Sequence, residues 1–243
     1  MKMKIALIGY GKMGKTIAEL AKNQQHEIIL TIDADNKNDL QSDLFKSADV
    51  AIEFTQPNQA FNNIIACFDA GVPVVCGTTG WYDELPNLVS ACNEKNGSLI
   101  YASNFSIGVN LFFVLNKLLA KQMSQYSDYK VSMLETHHTA KLDAPSGTAI
   151  TLAEDLINSH NGYIGWTKGV SADEKSIPIH SVREDPAPGK HEIFYTSEID
   201  EIKISHEALN RNGFSLGALY AANWIKENKG VHHFSDILSL QFS

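Results

Sequence analysis

The feature that constrains this chain most is the turn Gly9-Tyr10-Gly11-Lys12-Met13-Gly14. It follows an apolar run over 5–8 and precedes an amphipathic stretch over 13–21, so it joins a strand to a helix. Glycines at this spacing answer three steric demands. The first permits the tight turn, the second lets a pyrophosphate approach the backbone, and the third lets helix and strand pack closely. The free N–H groups at the helix N-terminus then face the phosphates. Asp33 closes a second strand-like run over 28–32, 24 positions after Gly9, about where an acid receives the adenosine ribose hydroxyls. A glycine-rich turn in another α/β fold is the competing reading. The strand, helix and acid together favour dinucleotide binding.

Short apolar runs over 50–54, 72–76 and 99–102 read as strands, and stretches over 59–70 and 82–94 as helices. That alternation builds βαβ units and a parallel sheet with right-handed crossovers. After about residue 105 the texture changes. A helix over 109–122 leads to a strand over 129–135, and a helix over 146–158 has Ser146 at its N-cap position. Strand-like segments follow over 177–182, 192–196 and 201–206, with loops over 161–176 and 184–190. A last helix over 216–226 fits either half. The predicted fold class is α/β: a Rossmann-type parallel-sheet dinucleotide-binding domain with a second α+β domain containing an open mixed sheet.

Composition narrows the function classes. No apolar run approaches the roughly 20 residues that cross a bilayer, and the N-terminus reads as part of the fold rather than a secretory signal. The expectation is a cytoplasmic protein without a membrane partner. Cys67, Cys76 and Cys92 form no CxxC pair and no even disulfide set, so reduced thiols and no metal site are expected. A formal charge of −8 argues against a nucleic-acid partner. It also means that an anionic ligand needs local positive potential.

Two further loops leave strand ends on the edge where ligands bind in open parallel sheets. Gly77, Thr78 and Thr79 would let backbone lie against a nicotinamide or its ribose. Ala102, Ser103, Asn104 and Phe105 would supply an amide and an aromatic. Either segment could be an ordinary loop. Ala34 follows Asp33, where sites for the 2′-phosphate usually place an arginine, yet Lys12 and Lys37 could reach a phosphate. The carboxylate favours NADH and leaves NADPH open.

The densest chemistry is Glu135-Thr136-His137-His138-Thr139-Ala140-Lys141-Leu142-Asp143-Ala144-Pro145-Ser146-Gly147-Thr148-Ala149. A helix start at Ser146, Gly147 and Thr148 offers N–H groups, hydroxyls and a positive dipole end, which suits a carboxylate. Lys141 adds a point charge, and a histidine moves protons near neutral pH. A bare histidine pair more often marks a half-buried strand end, but here the lysine and helix cap accompany it. His180, His191, His206, His232 and His233 read mostly as structural or surface residues.

With these motifs in view, the chain resembles the 4-hydroxy-tetrahydrodipicolinate reductase (dihydrodipicolinate reductase) family of the diaminopimelate route to lysine. The resemblance also runs through Asn104-Phe105-Ser106-Ile107-Gly108-Val109-Asn110, Ile179-His180-Ser181-Val182-Arg183, Gly189-Lys190-His191-Glu192 and Phe214-Ser215-Leu216-Gly217-Ala218-Leu219. It implies hydride transfer from NADH or NADPH to C4 of the conjugated cyclic imine that forms when the hydroxy substrate loses water. His137 matches the family's proton donor/acceptor and Lys141 its second proton donor. His138, Gly147 and Thr148 match its substrate-binding positions. Gly77, Thr78, Thr79 and Ala102 to Phe105 match nicotinamide-side contacts.

The resemblance further implies a small dicarboxylate substrate, a homotetramer, and lid-like closure of the substrate domain. It implies domains over 1–106 with about 214–243, and over 107–213. The chain departs from the family pattern twice. Thr139 and Ala140 stand where many relatives carry Arg and His, and Glu184-Asp185-Pro186 stands where glycines are common. Two other readings compete: a different two-domain dehydrogenase acting on an amino acid or semialdehyde, and a non-catalytic dinucleotide sensor. The second would be expected to have lost the His137/Lys141 pair.

Overall fold

Apolar runs too short for helices become the strands of the first half, separated by the amphipathic stretches. The computed structural model describes residues 2–170, 173–210 and 212–239. Its first part runs β1 (Lys4–Ile8), α1 (Lys12–Asn23), β2 (Glu27–Ile32), α2 (Asp43–Lys46), β3 (Val50–Glu53), α3 (Pro57–Ala70), β4 (Val74–Cys76), α4 (Leu85–Lys95) and β5 (Ser98–Tyr101). Next come α5 (Ile107–Met123), β6 (Lys130–His137), α6 (Gly147–Ser159), β7 (Gly165–Lys168), β8 (Ser176–Arg183), β9 (Lys190–Thr196) and β10 (Glu201–Glu207). The chain ends with α7 (Asn212–Ile225), β11 (Gly230–His233) and α8 (Phe234–Ser239). It forms two units, residues 1–107 with 212–243, and residues 108–211.

In the first unit six parallel strands lie in the order β11-β5-β4-β3-β1-β2. Both faces are covered, which explains why β1 reads as a continuous apolar run. Ile5 and Leu7 face one core with α1, α7 and α8, while Ala6 and Ile8 face the other with α3 and α4. The order reverses between β1 and β3. This is the topological switch where open parallel sheets leave a crevice at their strand C-termini.

In the second unit the order is β10-β9-β6-β8-β7. β6, β8 and β7 run parallel, and β9 is antiparallel to both β6 and β10. One face buries Val131, Met133, Ile177, Ile179, Ile193 and Tyr195 against α5 and α6. Inside that core Asn116 Nδ2 donates to Leu152 O at 2.9 Å, which satisfies a buried amide.

The structure corrects three local expectations. The loop expected over 161–176 contains the edge strand β7, although Ser171 and Ala172 lie outside the described residues. The helix over 82–94 opens as a 3₁₀ turn, Tyr82–Glu84, and α4 has a proline in its first turn. The helix expected over 216–226 is not the last, since β11 and α8 follow it. β7 and β11 are four residues each, with one apolar side chain per strand pattern to signal them.

Gly217 shows how tightly α7 sits in the first unit. A Cβ there would lie 1.6 Å from Phe105 O. Gly217→Ala is therefore expected to destabilise the protein by about 1–3 kcal/mol or more, despite a helix-propensity gain of about 1 kcal/mol. Urea unfolding of the variant checks this, and stability equal to wild type would refute the close approach.

Candidate active site

Two clefts open at the C-terminal ends of the parallel strands. Gly9 turns with φ +93° and donates its N–H to Ile32 O at 2.8 Å. A Cβ on Gly9 would meet Phe54 O at 2.1 Å, and one on Gly14 would meet Gly9 O at 2.2 Å. Gly11 differs, because a Cβ there would meet nothing within 4 Å. Its backbone is open at the start of α1, as a phosphate cradle requires. Gly9, Gly11, Asp33 and Lys37 line one cleft of about 320 Å³. Gly11, Lys12, Met13, Gly77, Thr78 and Thr79 line a second of about 380 Å³.

Together these residues fit a dinucleotide, with ribose groups near Asp33 and the pyrophosphate at Gly11. Lys37 donates to Gln59 Oε1 at 2.5 Å on the rim of the Asp33 cleft. Beneath the clefts Glu53 is fully buried and accepts from Thr55 Oγ1, Asn63 Nδ2 and Cys76 Sγ. Thr55 N in turn donates to Thr78 Oγ1 at 2.7 Å, tying the ends of β3 and β4 together. The other residues expected around the cofactor take several positions. Gly14 supports the turn from within, Tyr10 packs on the core, and Ala102 and Phe105 are buried in it. Ser103 is exposed, and Asn104 Oδ1 accepts from Ser106 N at 2.8 Å.

The second unit gathers its chemistry at the end of β6. Side chains two apart on a strand share a face, so Glu135 and His137 point the same way. Strand pairing adds their neighbours: His191 stands opposite Glu135 on β9, and Arg183 opposite His137 on β8. Glu135 is 1% exposed, and its Oε1 accepts from Arg183 Nη2 at 3.0 Å. It also accepts from Ser146 N at 3.0–3.1 Å, at the N-cap of α6. Its Oε2 lies 3.4 Å from His137 Nδ1 and 3.9 Å from His191 Nε2. The two imidazoles meet edge to face, with centroids 5.1 Å apart. Ligand atoms of Glu135, His137 and His191 lie within 4.8 Å of one another. Arg183 already supplies a cation to that carboxylate.

Arg183 also orders the loop that carries Lys141. Its Nε donates to Lys141 O at 3.3 Å and its Nη2 to Asp143 O at 2.5 Å. Lys141 Nζ donates to both Asp143 carboxylate oxygens at 2.8 Å. Ser146 Oγ caps α6 by accepting from Ala149 N, and lies 3.2 Å from His191 Nε2. Gly147 is exposed and Thr148 half-buried at the first turn of α6, while His138 is half-buried beside His137. The two departures from the family pattern touch each other. Thr139 donates through both N and Oγ1 to the carboxylate of Asp185.

His191 is buried beside Glu135 and His137, whereas His180 is exposed and His206 lies against the Phe112 ring. Glu135 and Arg183 were in plain view as residues but not as partners. The signal that finds them is the two-residue period of β6 combined with its pairing to β8 and β9. Burial pushes His137 below the usual histidine range, with Lys141 and Arg183 adding to it and Glu135 opposing. Burial works against the Glu135 charge, but hydrogen bonds from Ser146 and Arg183 outweigh it and hold its carboxyl low. The Lys141 hydrogen bond lowers Asp143. Burial, reinforced by His137, pushes His191 down to about 3.

His191 thus stays neutral when folded but takes a proton in the unfolded chain below about pH 6.5. Its contribution to stability is present above that pH. As pH falls from about 6.5 towards 3, about 1.4 kcal/mol per unit is lost. Urea unfolding between about pH 7 and pH 5 should show a shallower pH slope in His191→Asn than in wild type. Equal slopes would contradict the buried neutral ring.

Comparison with known proteins places this geometry. The family model described as "Dihydrodipicolinate reductase, N-terminus" matches residues 3–105, and "Dihydrodipicolinate reductase, C-terminus" matches residues 108–238. The chain is 47% identical over 237 residues to 4-hydroxy-tetrahydrodipicolinate reductase of Christiangramia forsetii, covering 98% of each chain. It is 34% identical to the enzyme of the same name from Methanococcoides burtonii, covering 93% of this chain and 85% of that one. Among solved structures, dipicolinate-bound dihydrodipicolinate reductase from Paenisporosarcina sp. TG-14 superposes with a TM-score of 0.82 at 27% identity, over 98% of this chain and 100% of that one. With both halves matched and a relative similar end to end, the chain belongs to the dihydrodipicolinate reductase family.

Proposed function

We propose that this protein reduces 4-hydroxy-tetrahydrodipicolinate, through its dehydrated cyclic imine, to tetrahydrodipicolinate in the diaminopimelate route of lysine biosynthesis. The observation that carries the reading is the convergence of His137, Lys141 and the capped start of α6 in a chain of this family. Bound NADH or NADPH supplies the hydride, delivered to C4 of the conjugated imine. Asp33 favours free ribose hydroxyls, and Lys37 on the same cleft offers a cation to a 2′-phosphate, so both cofactors are served. Gly9, Tyr10, Gly11, Lys12, Met13, Gly14, Asp33, Gly77, Thr78, Thr79 and residues 102–105 form the cofactor set.

The second unit handles charge and protons. Lys141, together with the amides and hydroxyls of Ser146, Gly147 and Thr148, receives a dicarboxylate, and His138 lies beside them. Lys141 holds Asp143 until a substrate carboxylate replaces it. Arrival of a dianion next to His137 raises its affinity for a proton, opposing the burial that lowers it. His137 is then able to protonate the enamine left by hydride addition. A positioned general acid contributes about 10²- to 10⁴-fold.

The solved relative from Paenisporosarcina sp. TG-14 is bound to dipicolinate, a dicarboxylate, which supports this substrate class. A homotetramer is consistent with the second face of the mixed sheet, where Leu134, Pro178 and Phe194 are only partly buried and Val182 is exposed. No helix among the described residues is long and apolar enough to cross a membrane, in keeping with a cytoplasmic enzyme.

The test couples the purified protein to a synthase that makes the imine in situ and follows NADH and NADPH absorbance separately. Consumption above the synthase-only rate is expected with at least one cofactor, and its absence with both would refute the reading. Lys141→Ala and His137→Ala should each lower turnover by about 10²-fold or more, with NADH binding nearly unchanged. Wild-type turnover in either variant would remove that residue from the proton chemistry.

A further inference from the structure

The Glu135 carboxylate is buried, and it is absent from the set that proton transfer strictly needs. Its partners are unequal. Arg183 Nη2 and Ser146 N donate to it at hydrogen-bond distance. His137 Nδ1 faces its Oε2 at 3.4 Å, and that nitrogen is buried with no hydrogen-bond partner among the described residues. The opposite ring nitrogen, Nε2, borders Gly189, where a Cβ would stand 3.2 Å away. Gly189 has φ +153°, so both its backbone and the space beside the ring favour glycine. The ring is thus held by an anion on one edge and left uncrowded on the other.

We propose that Glu135 is a positioning residue: it holds the His137 Nδ1 proton, so that Nε2 is the nitrogen that exchanges a proton with the substrate. The proposal rests on the reading of His137 as proton donor. Because one carboxylate also accepts from Ser146 N, the orientation of the imidazole and the start of α6 are set by the same group. His191 completes the wall. It packs edge-on against His137 and lies 3.2 Å from Ser146 Oγ, adding no charge while neutral.

The charged and titratable groups facing His137 are Glu135 on its own strand, Arg183 on β8, His191 on β9, and Lys141 and Asp143 on the following loop. Glu135 and Asp143 favour the protonated ring, while Lys141 and Arg183 disfavour it. Removing the Glu135 charge therefore moves His137 protonation, and the alkaline limb of turnover, to lower pH.

Nitrogen-15 NMR of the full-length protein with labelled histidine reads the tautomer directly. In wild type, neutral His137 is expected to carry its proton on Nδ1; a proton on Nε2 would overturn the proposal whatever any variant does. In Glu135→Gln, turnover should fall at least about tenfold, with the KM for imine and NADH binding little changed. The His137 titration and the alkaline limb should both move to lower pH. A variant that loses stability but keeps the wild-type tautomer and titration would reduce Glu135 to a structural role and overturn the proposal. Tautomer and titration are read without turnover. A wild-type protein that failed to reduce the imine would therefore count against the proposed reaction, not against this geometry.

Discussion

The second unit depends on one buried carboxylate. Glu135 sits on the central strand of a mixed sheet, where an isolated negative charge would be prohibitively costly. Arg183 from one neighbouring strand and the Ser146 amide make it tolerable. Removing one partner of such a buried pair costs about 3–5 kcal/mol, so the arrangement is fixed once the sheet has formed. The same contacts position three things on which the proposed chemistry rests: the imidazole of His137, the N-terminus of α6, and the loop bearing Lys141. That loop is held because Arg183 also donates to Lys141 O and Asp143 O.

The first unit reaches its precision by close backbone approach instead. Gly9 against Phe54 O, Gly14 against Gly9 O, and Gly217 against Phe105 O leave no room for a methyl group. Gly11 is the exception, and its face is open. Net charge then ceases to be a paradox. Under the proposed reading, a chain of charge −8 would receive an anionic dicarboxylate because Lys141 and the N-terminus of α6 would act on it at a few ångströms, while distant charges are screened beyond about 8 Å at physiological salt.

Much of this was legible in the sequence because it is written in local patterns. The alternation of apolar runs with helical stretches gave the parallel sheet, and Ser146 marked the cap that its Oγ makes. The glycine spacing marked the tight turn between β1 and α1. Strand pairing was not legible. His191 looked like a stray histidine because its partner, Glu135, is 56 positions away in sequence and meets it only through antiparallel pairing of β6 and β9. β7 and β11 escaped notice because a four-residue edge strand needs few apolar side chains. The family departures at Thr139 and Asp185 looked independent, yet they face each other across the loop.

The central claim is that a hydride from the dinucleotide reaches ring carbon C4 of the cyclic imine. Supplying NADH or NADPH deuterated at the transferable position, and locating the label in the product by NMR, tests it most directly. Deuterium at C4 of tetrahydrodipicolinate is the expected result. Product lacking the label, or labelled at another carbon, would contradict the account.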